Sequence, residues 1–331
     1  MSTYPYGAFV STTPFPISMG EVLDKLWKTL RGNWKLYLWL GAPLAAVGIL
    51  FMAAYFGALF ASGVFPLHPG VAPDPTRLSP WLFGVMLIGY VPNLIVFALY
   101  QAATAFATLR EASGQKTTVR EAYAAAWRKA GRNCWLMILQ YLCVAGPILV
   151  FAVIASILTM VFGSGGTPNP AAMFVIVPLI FLLVLGAFAY AIWMALCLGM
   201  AFPASVAEDL PAIAALKRSS RLSCGVKGKL FLALLVVLAI SYAAIFALEI
   251  GGGGIIAVGA LLFQLLHLSV ALGIALGVIA ALAFLVLMFA CTSLIWAAYS
   301  ISFTIVYCDQ RVRLDGPIGG FSQIQPEAPL A

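Results

Sequence analysis

Long apolar stretches separated by short charged or Gly/Pro-rich segments dominate the chain. The stretches run Leu36 to Phe60, Trp81 to Ala107, Cys134 to Phe162, Ala171 to Phe202, Leu230 to Glu249, and Gly273 to Tyr307. Each reaches the about 20 residues that carry a helix across about 30 Å of hydrocarbon. Leu, Ala, Val and Ile follow one another there without the strict alternation that a membrane barrel strand needs. The pattern predicts an all-α, polytopic membrane protein of about six transmembrane helices. Trp34, Tyr37, Trp39, Trp81 and Trp135 mark predicted span starts, where amphipathic rings favour the headgroup level. Between Ile255 and Leu268 lies a further apolar run of 14 residues, short for a span. It reads as an interfacial or re-entrant segment opened by Gly251 to Gly254.

The segments before the odd-numbered spans have a different rhythm. In Ser18 to Trp34, Val22, Leu23, Leu26, Trp27 and Leu30 form one helical face, and Glu21, Asp24, Lys25, Lys28 and Arg31 the other. Such a helix lies along a membrane surface. Ser18 with Glu21, and Thr118 with Glu121, have the spacing of capping boxes. Glu21, Trp27 and Asn33 recur as Glu121, Trp127 and Asn133, an offset of 100 residues. A weaker third copy contains Ile213, Leu216 and Leu222 with Lys217, Arg218 and Arg221. The unit implied is an interfacial helix followed by a transmembrane hairpin, a possible threefold internal repeat.

Composition narrows the class. The 331 residues are 63% hydrophobic and 9% charged, against about a quarter charged in soluble domains. Lipid is therefore the expected solvent for most of the chain. Six spans leave Arg77 alone on one side and the other 17 of the 18 Lys and Arg on the opposite side. The positive-inside rule makes the rich side cytoplasmic. The net charge of +7 then signals topology and attraction to anionic headgroups, with no nucleic-acid partner expected. The chain reads as a single membrane domain, 1–331, of the inner (cytoplasmic) membrane. It comprises a cytoplasmic tail at 1–17, an amphipathic helix at 18–34, a bundle at 36–307 and a cytoplasmic tail at 308–331. The first 24 residues lack Lys and Arg, so the first span is expected to stay in place rather than act as a cleaved signal.

Three stretches carry a family resemblance: SMGEVLDKLWKTLRGNWKL from Ser18 to Leu36, ASVAEDLPAIAALKRSSRLSCGVKGKL from Ala204 to Leu230, and VYCDQRVRLDG from Val306 to Gly316. The chain resembles the bacterial membrane proteins named for the membrane region attached to some glycerophosphoryl diester phosphodiesterases. The family pattern has an aromatic after the Arg-Ser pair and often a Tyr before the terminal Asp, where this chain has Ser220 and Cys308. The phosphodiesterase barrel is absent from the sequence. What the resemblance implies is the membrane fold without the enzyme activity.

Candidate chemistry is sparse. His68 and His267 are far apart, and the six cysteines show neither CxxC nor metal-ligand spacing, so no cofactor, metal site or disulfide is expected. Asn93, Gln140 and Glu249 are the candidate polar site within the apolar stretches; prolines at 92, 147 and 178 accompany them. Glu208, Arg218, Arg221, Asp309, Arg311 and Arg313 gather on the predicted inner face as a candidate structural latch, Arg221 with Asp309 being the first pair to test. Two functions stand against each other: a non-enzymatic scaffold or accessory protein, and a transporter or lipid-handling permease. Expected partners are membrane lipids, anionic headgroups, and a membrane-protein partner or second copy of the chain. The topology predicts that single cysteines placed at Ser62 or Ser164 react in intact cells with an impermeant thiol reagent, while Cys224 stays protected. A protected Ser164 position would contradict it.

Overall fold

The computed structural model describes residues 17–61, 80–163, 170–265 and 270–315, and within them every regular element is a helix. In chain order these are α1 (Met19–Gly32), α2 (Trp34–Ala61), α3 (Pro80–Ala112), α4 (Val119–Arg128), α5 (Ala130–Gly163), α6 (Pro170–Leu198), α7 (Ala201–Ala207), α8 (Ala212–Leu222), α9 (Lys227–Leu265) and α10 (Val270–Asp315). Six of them, α2, α3, α5, α6, α9 and α10, are long and apolar enough to cross a membrane. A short amphipathic helix followed by two long apolar ones therefore occurs three times, with α7 as an extra turn before the third unit.

Local chemistry explains the short helices. Ser18 and Thr118 each accept the N–H of the Glu three residues on, at 3.3 Å, and each Glu carboxylate accepts the cap N–H in return. Both capping boxes thus satisfy donors that a helix start leaves free. Ile17, just before the first box, is buried beside the buried Val22, the placement of a hydrophobic staple that fixes how the chain enters α1.

The short helices do not sit on their own hairpins. α1 packs mainly on α10 and α9, α4 mainly on α3, and α8 on α7, α5 and α6. Each amphipathic helix is thus seated on the hairpin of the preceding unit, and the first closes onto the last. Among the described residues, all Lys and Arg lie on the short helices, on the ends of the long helices next to them, or on the connections between the two, and together they mark a basic end of the bundle.

Several expectations need correction. Gly251 to Gly254 do not open a separate segment: α9 continues through them to Leu265 over 39 residues. Glycine costs about 1 kcal/mol in a helix relative to alanine, but the i to i−4 bonds continue, and at Gly252 the missing side chain lets the Phe284 ring of α10 close in. The fourth apolar stretch is interrupted, α6 ending at Leu198 and α7 starting at Ala201. A β-carbon at Gly199 would overlap the Phe303 ring, so the break brings backbone onto α10. Pro203 is accommodated in the first turn of α7, where an N–H has no helical partner anyway. Residues 308–315 are not a tail, because α10 runs to Asp315 with Cys308 and Asp309 buried; an Asp309 to Arg313 pair and a basic last turn support those residues as helix. Leu26 and Trp27 share a helical face but not a neighbour: Leu26 is buried in the bundle, whereas Trp27 is 61% exposed and its counterpart Trp127 68% exposed, so both rings point away from the bundle.

Close approaches locate the tightest contact. A β-carbon on Gly41 of α2 would overlap Ser293 near the α10 backbone, whereas one on Gly57, about one turn before the end of α2, would meet nothing. Gly41→Val is expected to lower thermal stability in detergent by about 1 to 3 kcal/mol, the usual cost of overpacking, and Gly57→Val to leave it nearly unchanged. Equal tolerance of the two would mean that α2 and α10 do not meet at Gly41.

Candidate functional site

The polar side chains concentrate at the basic end, in junctions that tie the end of each hairpin to the short helix that follows. At the first, Arg110 Nη1 lies 3.3 Å from Glu121 Oε2 of α4. The adjacent Glu111 accepts from Asn33 Nδ2 at 2.6 Å and from the Tyr37 hydroxyl at 3.0 Å. The second centres on Glu208, the C-cap of α7. Arg218 of α8 donates from Nε to both its oxygens at 3.1 Å. The Tyr307 hydroxyl of α10 donates to Oε1 at 2.8 Å, and Arg311 Nε is 3.5 Å away. Arg218 also pairs with Asp315 at the end of α10. The third is Asp309, 0% exposed. Its Oδ2 accepts from the Ile17 backbone N–H at 3.3 Å, from Arg313 Nε at 2.9 Å and from Gln310 Nε2 at 3.3 Å.

Asp209 sits beside these junctions in the left-handed region, φ 52, which Asp tolerates better than most residues. Its carboxylate pairs with Lys129 and Arg132. The hydrogen bond from Lys129 holds its pKa below the usual carboxylate value; Arg132 helps and burial opposes. A depressed carboxylate stabilises the fold above its unfolded pKa and loses that contribution as pH falls through the folded value. The group is largely exposed, so solvent screens much of the effect.

Of the six predicted latch residues, Glu208, Arg218 and Arg311 come together, and Asp309 and Arg313 form a second pair. Arg221 is exposed on α8 and does not meet Asp309. Asp309 is covered by the entry to α1, whose Ile17 N–H donates to its Oδ2 together with Arg313, while its Oδ1 is buried without a hydrogen-bond partner. The predicted intramembrane set is not brought together. Asn93 donates to Gly89 O of its own helix at 3.0 Å. Gln140 reaches Leu198 O at 3.4 Å, and its Oε1 is buried without a hydrogen-bond partner. Glu249 is exposed on α9, about 33 Å from Lys227 at 1.5 Å per residue, which places it close to one hydrocarbon thickness away. His68 and His267 lie outside the described residues. Among the described residues no group of three or more His, Cys, Asp or Glu could hold a metal ion, and the six cysteines are free.

Some site residues were missed by sequence reasoning. Glu111 carried a usable signal, since Glu111, Asp209 and Asp309 recur near the 100-residue offset already visible in the capping boxes. Tyr37 and Tyr307 carried none, because Tyr37 reads as an ordinary interfacial aromatic and Tyr307 only as the end of the last apolar stretch. An open groove of about 250 Å³ was also missed; it lies beside Asn93 and is lined from α2, α3, α5 and α10.

No family model, no curated protein and no solved structure matches the chain.

The geometry replaces the pair to be tested. Side chains of Glu208 and Arg218 are only 15% and 17% exposed, between the surface pairs worth about 0.2 to 1 kcal/mol and the buried ones whose breaking costs about 3 to 5 kcal/mol. A double-mutant cycle of Glu208→Ala and Arg218→Ala should therefore show a coupling of about 1 to 3 kcal/mol in detergent unfolding. The cycle of Arg221→Ala and Asp309→Ala should be additive within about 0.5 kcal/mol. The reverse ranking would refute the observed pairing.

Proposed function

We propose that the protein is a non-enzymatic scaffold or accessory protein of the bacterial cytoplasmic membrane, with both termini and the basic end in the cytoplasm. The observation that carries this reading is how the polar residues are used. Carboxylates and arginines at the basic end face one another across helix junctions, which suits a fixed platform. Asn93, Gln140 and Glu249 sit on separate helices with separate surroundings, whereas a transport path requires polar groups to line up through the spans.

The platform suits an anionic membrane surface. Trp27 and Trp127 project outward next to Lys28 and Arg128 in sequence, an aromatic and a cation side by side at headgroup level. The resemblance to the phosphodiesterase-associated membrane region fits the same reading. Its three stretches correspond to α1, to the α7–α8 corner and to the end of α10, which are the elements tied by Glu208 and Asp309. These residues would be constrained by assembly of the platform, without need of a catalytic role.

The competing reading is a transporter or lipid-handling permease, for which the unpartnered Gln140 Oε1 is the most specific support. Reconstituted vesicles separate the two. With a fluorescent phospholipid in one leaflet and trapped ionic and neutral tracers, the scaffold reading predicts rates indistinguishable from protein-free vesicles. Movement that depends on the protein and is lost in Glu249→Gln would overturn it.

A further inference from the structure

The groove beside Asn93 is built differently from the rest of the lipid-facing surface. Its back wall is α2 against α10, where Gly48 lets the Phe289 ring come close. Its sides carry Asn93 and Tyr90 from α3, Tyr141 from α5, and Thr292 with Trp296 from α10. Gly48 is 14 residues along α2 from Trp34, about 21 Å at helical rise, so the groove opens deep in the apolar zone. Tyr90, Tyr141 and Trp296 are 51%, 38% and 39% exposed, so the opening faces sideways, where lipid would lie.

The polar groups retain unused capacity. Asn93 uses one amide hydrogen on Gly89 O, and Thr292 donates its hydroxyl hydrogen to Met288 O. The second Asn93 amide hydrogen and its carbonyl oxygen, together with the lone pairs of Thr292 Oγ1, can still serve a ligand. No Lys, Arg, Asp or Glu lines the groove. A charged headgroup at this depth would have no counterion and would cost several kcal/mol. A neutral head bearing hydroxyl or carbonyl oxygens meets both donors and acceptors, with aromatic faces to pack against. The volume of about 250 Å³ is just under the range of about 300 to 1,000 Å³ for small-molecule sites. It fits one polar end of a lipid, with the chain running out into the bilayer, and is too small for a partner helix.

We propose that this groove binds an uncharged lipid through its hydroxyl or carbonyl oxygens, held by Asn93 and Thr292 and packed on the surrounding aromatic rings. The site is independent of the scaffold reading, since it neither uses the basic-end junctions nor requires transport. The test uses the full chain in nanodiscs with three photoreactive probes of identical acyl chains: a diacylglycerol, a phosphatidylcholine and a phosphatidic acid. Diacylglycerol should label peptides covering Tyr90 to Phe97 and Phe289 to Trp296 about tenfold more than either charged-head probe, the discrimination expected from about 1.4 kcal/mol. Asn93→Leu and Thr292→Val, both close in volume, should each reduce that labelling without changing labelling elsewhere on the chain. If Asn93→Leu fails to fold, Thr292→Val alone decides. Equal labelling by the three probes, or labelling unchanged in a folded variant, would reduce the groove to a packing gap filled by ordinary acyl chains and would overturn the proposal.

Discussion

A fully buried carboxylate at the end of the last long helix constrains the whole arrangement. Asp309 has no water contact, and a carboxylate in such a place needs compensating donors or its burial is prohibitive. Arg313 and Gln310 come from its own helix, but the Ile17 N–H comes from the other end of the chain. That donor is available only when Ser18 and Glu21 have set the entry to α1 and Ile17 is seated by Val22. The interaction therefore joins the start of the first unit to the end of the third. It adds a polar tie to the apolar packing by which Val22 and Leu26 seat α1 on α10 and α9.

The same logic repeats around the basic end with different chemistry. Arg110 to Glu121 and Glu208 to Arg218 each tie a finished hairpin to the next amphipathic helix, one with the base on the hairpin and one with the acid. Because the sign is not kept, the repeat resides in geometry more than in residue identity. This is why a threefold pattern is strong in the first two units, where both capping boxes survive, and faint in the third. There α8 has Pro211 at its N-cap and no side-chain cap bond, and packing on α5 and α6 does the work that the box does elsewhere.

What could be read from sequence follows from this division. Hydropathy reports the solvent, so the six long apolar helices and the amphipathic character of α1 and α4 were legible. Ends were less so, since polar residues can continue a helix when i,i+4 pairing or burial supports them, as in the last turns of α10. The four-glycine run was misread because propensity is a local cost of about 1 kcal/mol per residue, small beside the hydrogen bonds that an apolar medium forces a helix to keep. The latch was legible as a set of residues but not as pairs. Which arginine meets which acid depends on α1 covering Asp309, a contact between residues nearly 300 positions apart.

The distribution of proline explains why both the last junction and the groove belong to α10. Pro43, Pro92, Pro147 and Pro178 lie inside α2, α3, α5 and α6, and each removes a backbone donor and frees a carbonyl. α9 and α10 have none within their length. The third hairpin is thus the one whose hydrogen-bond ladder is unbroken by proline, and α10 packs on α2 and α3 as well as on α9 and α1. A helix of 46 residues in that position transmits position from end to end. Asp309 sets its height at the basic end, and the Gly41 and Gly48 contacts set its distance from α2. Thr292 lies between Phe289 and Ser293, the two α10 residues that meet Gly48 and Gly41, so the groove sits at the close approach of α2 and α10. One wall of the groove is therefore a helix whose hydrogen-bond ladder proline does not interrupt, while the wall that carries Asn93 follows directly on Pro92, where a backbone donor is missing.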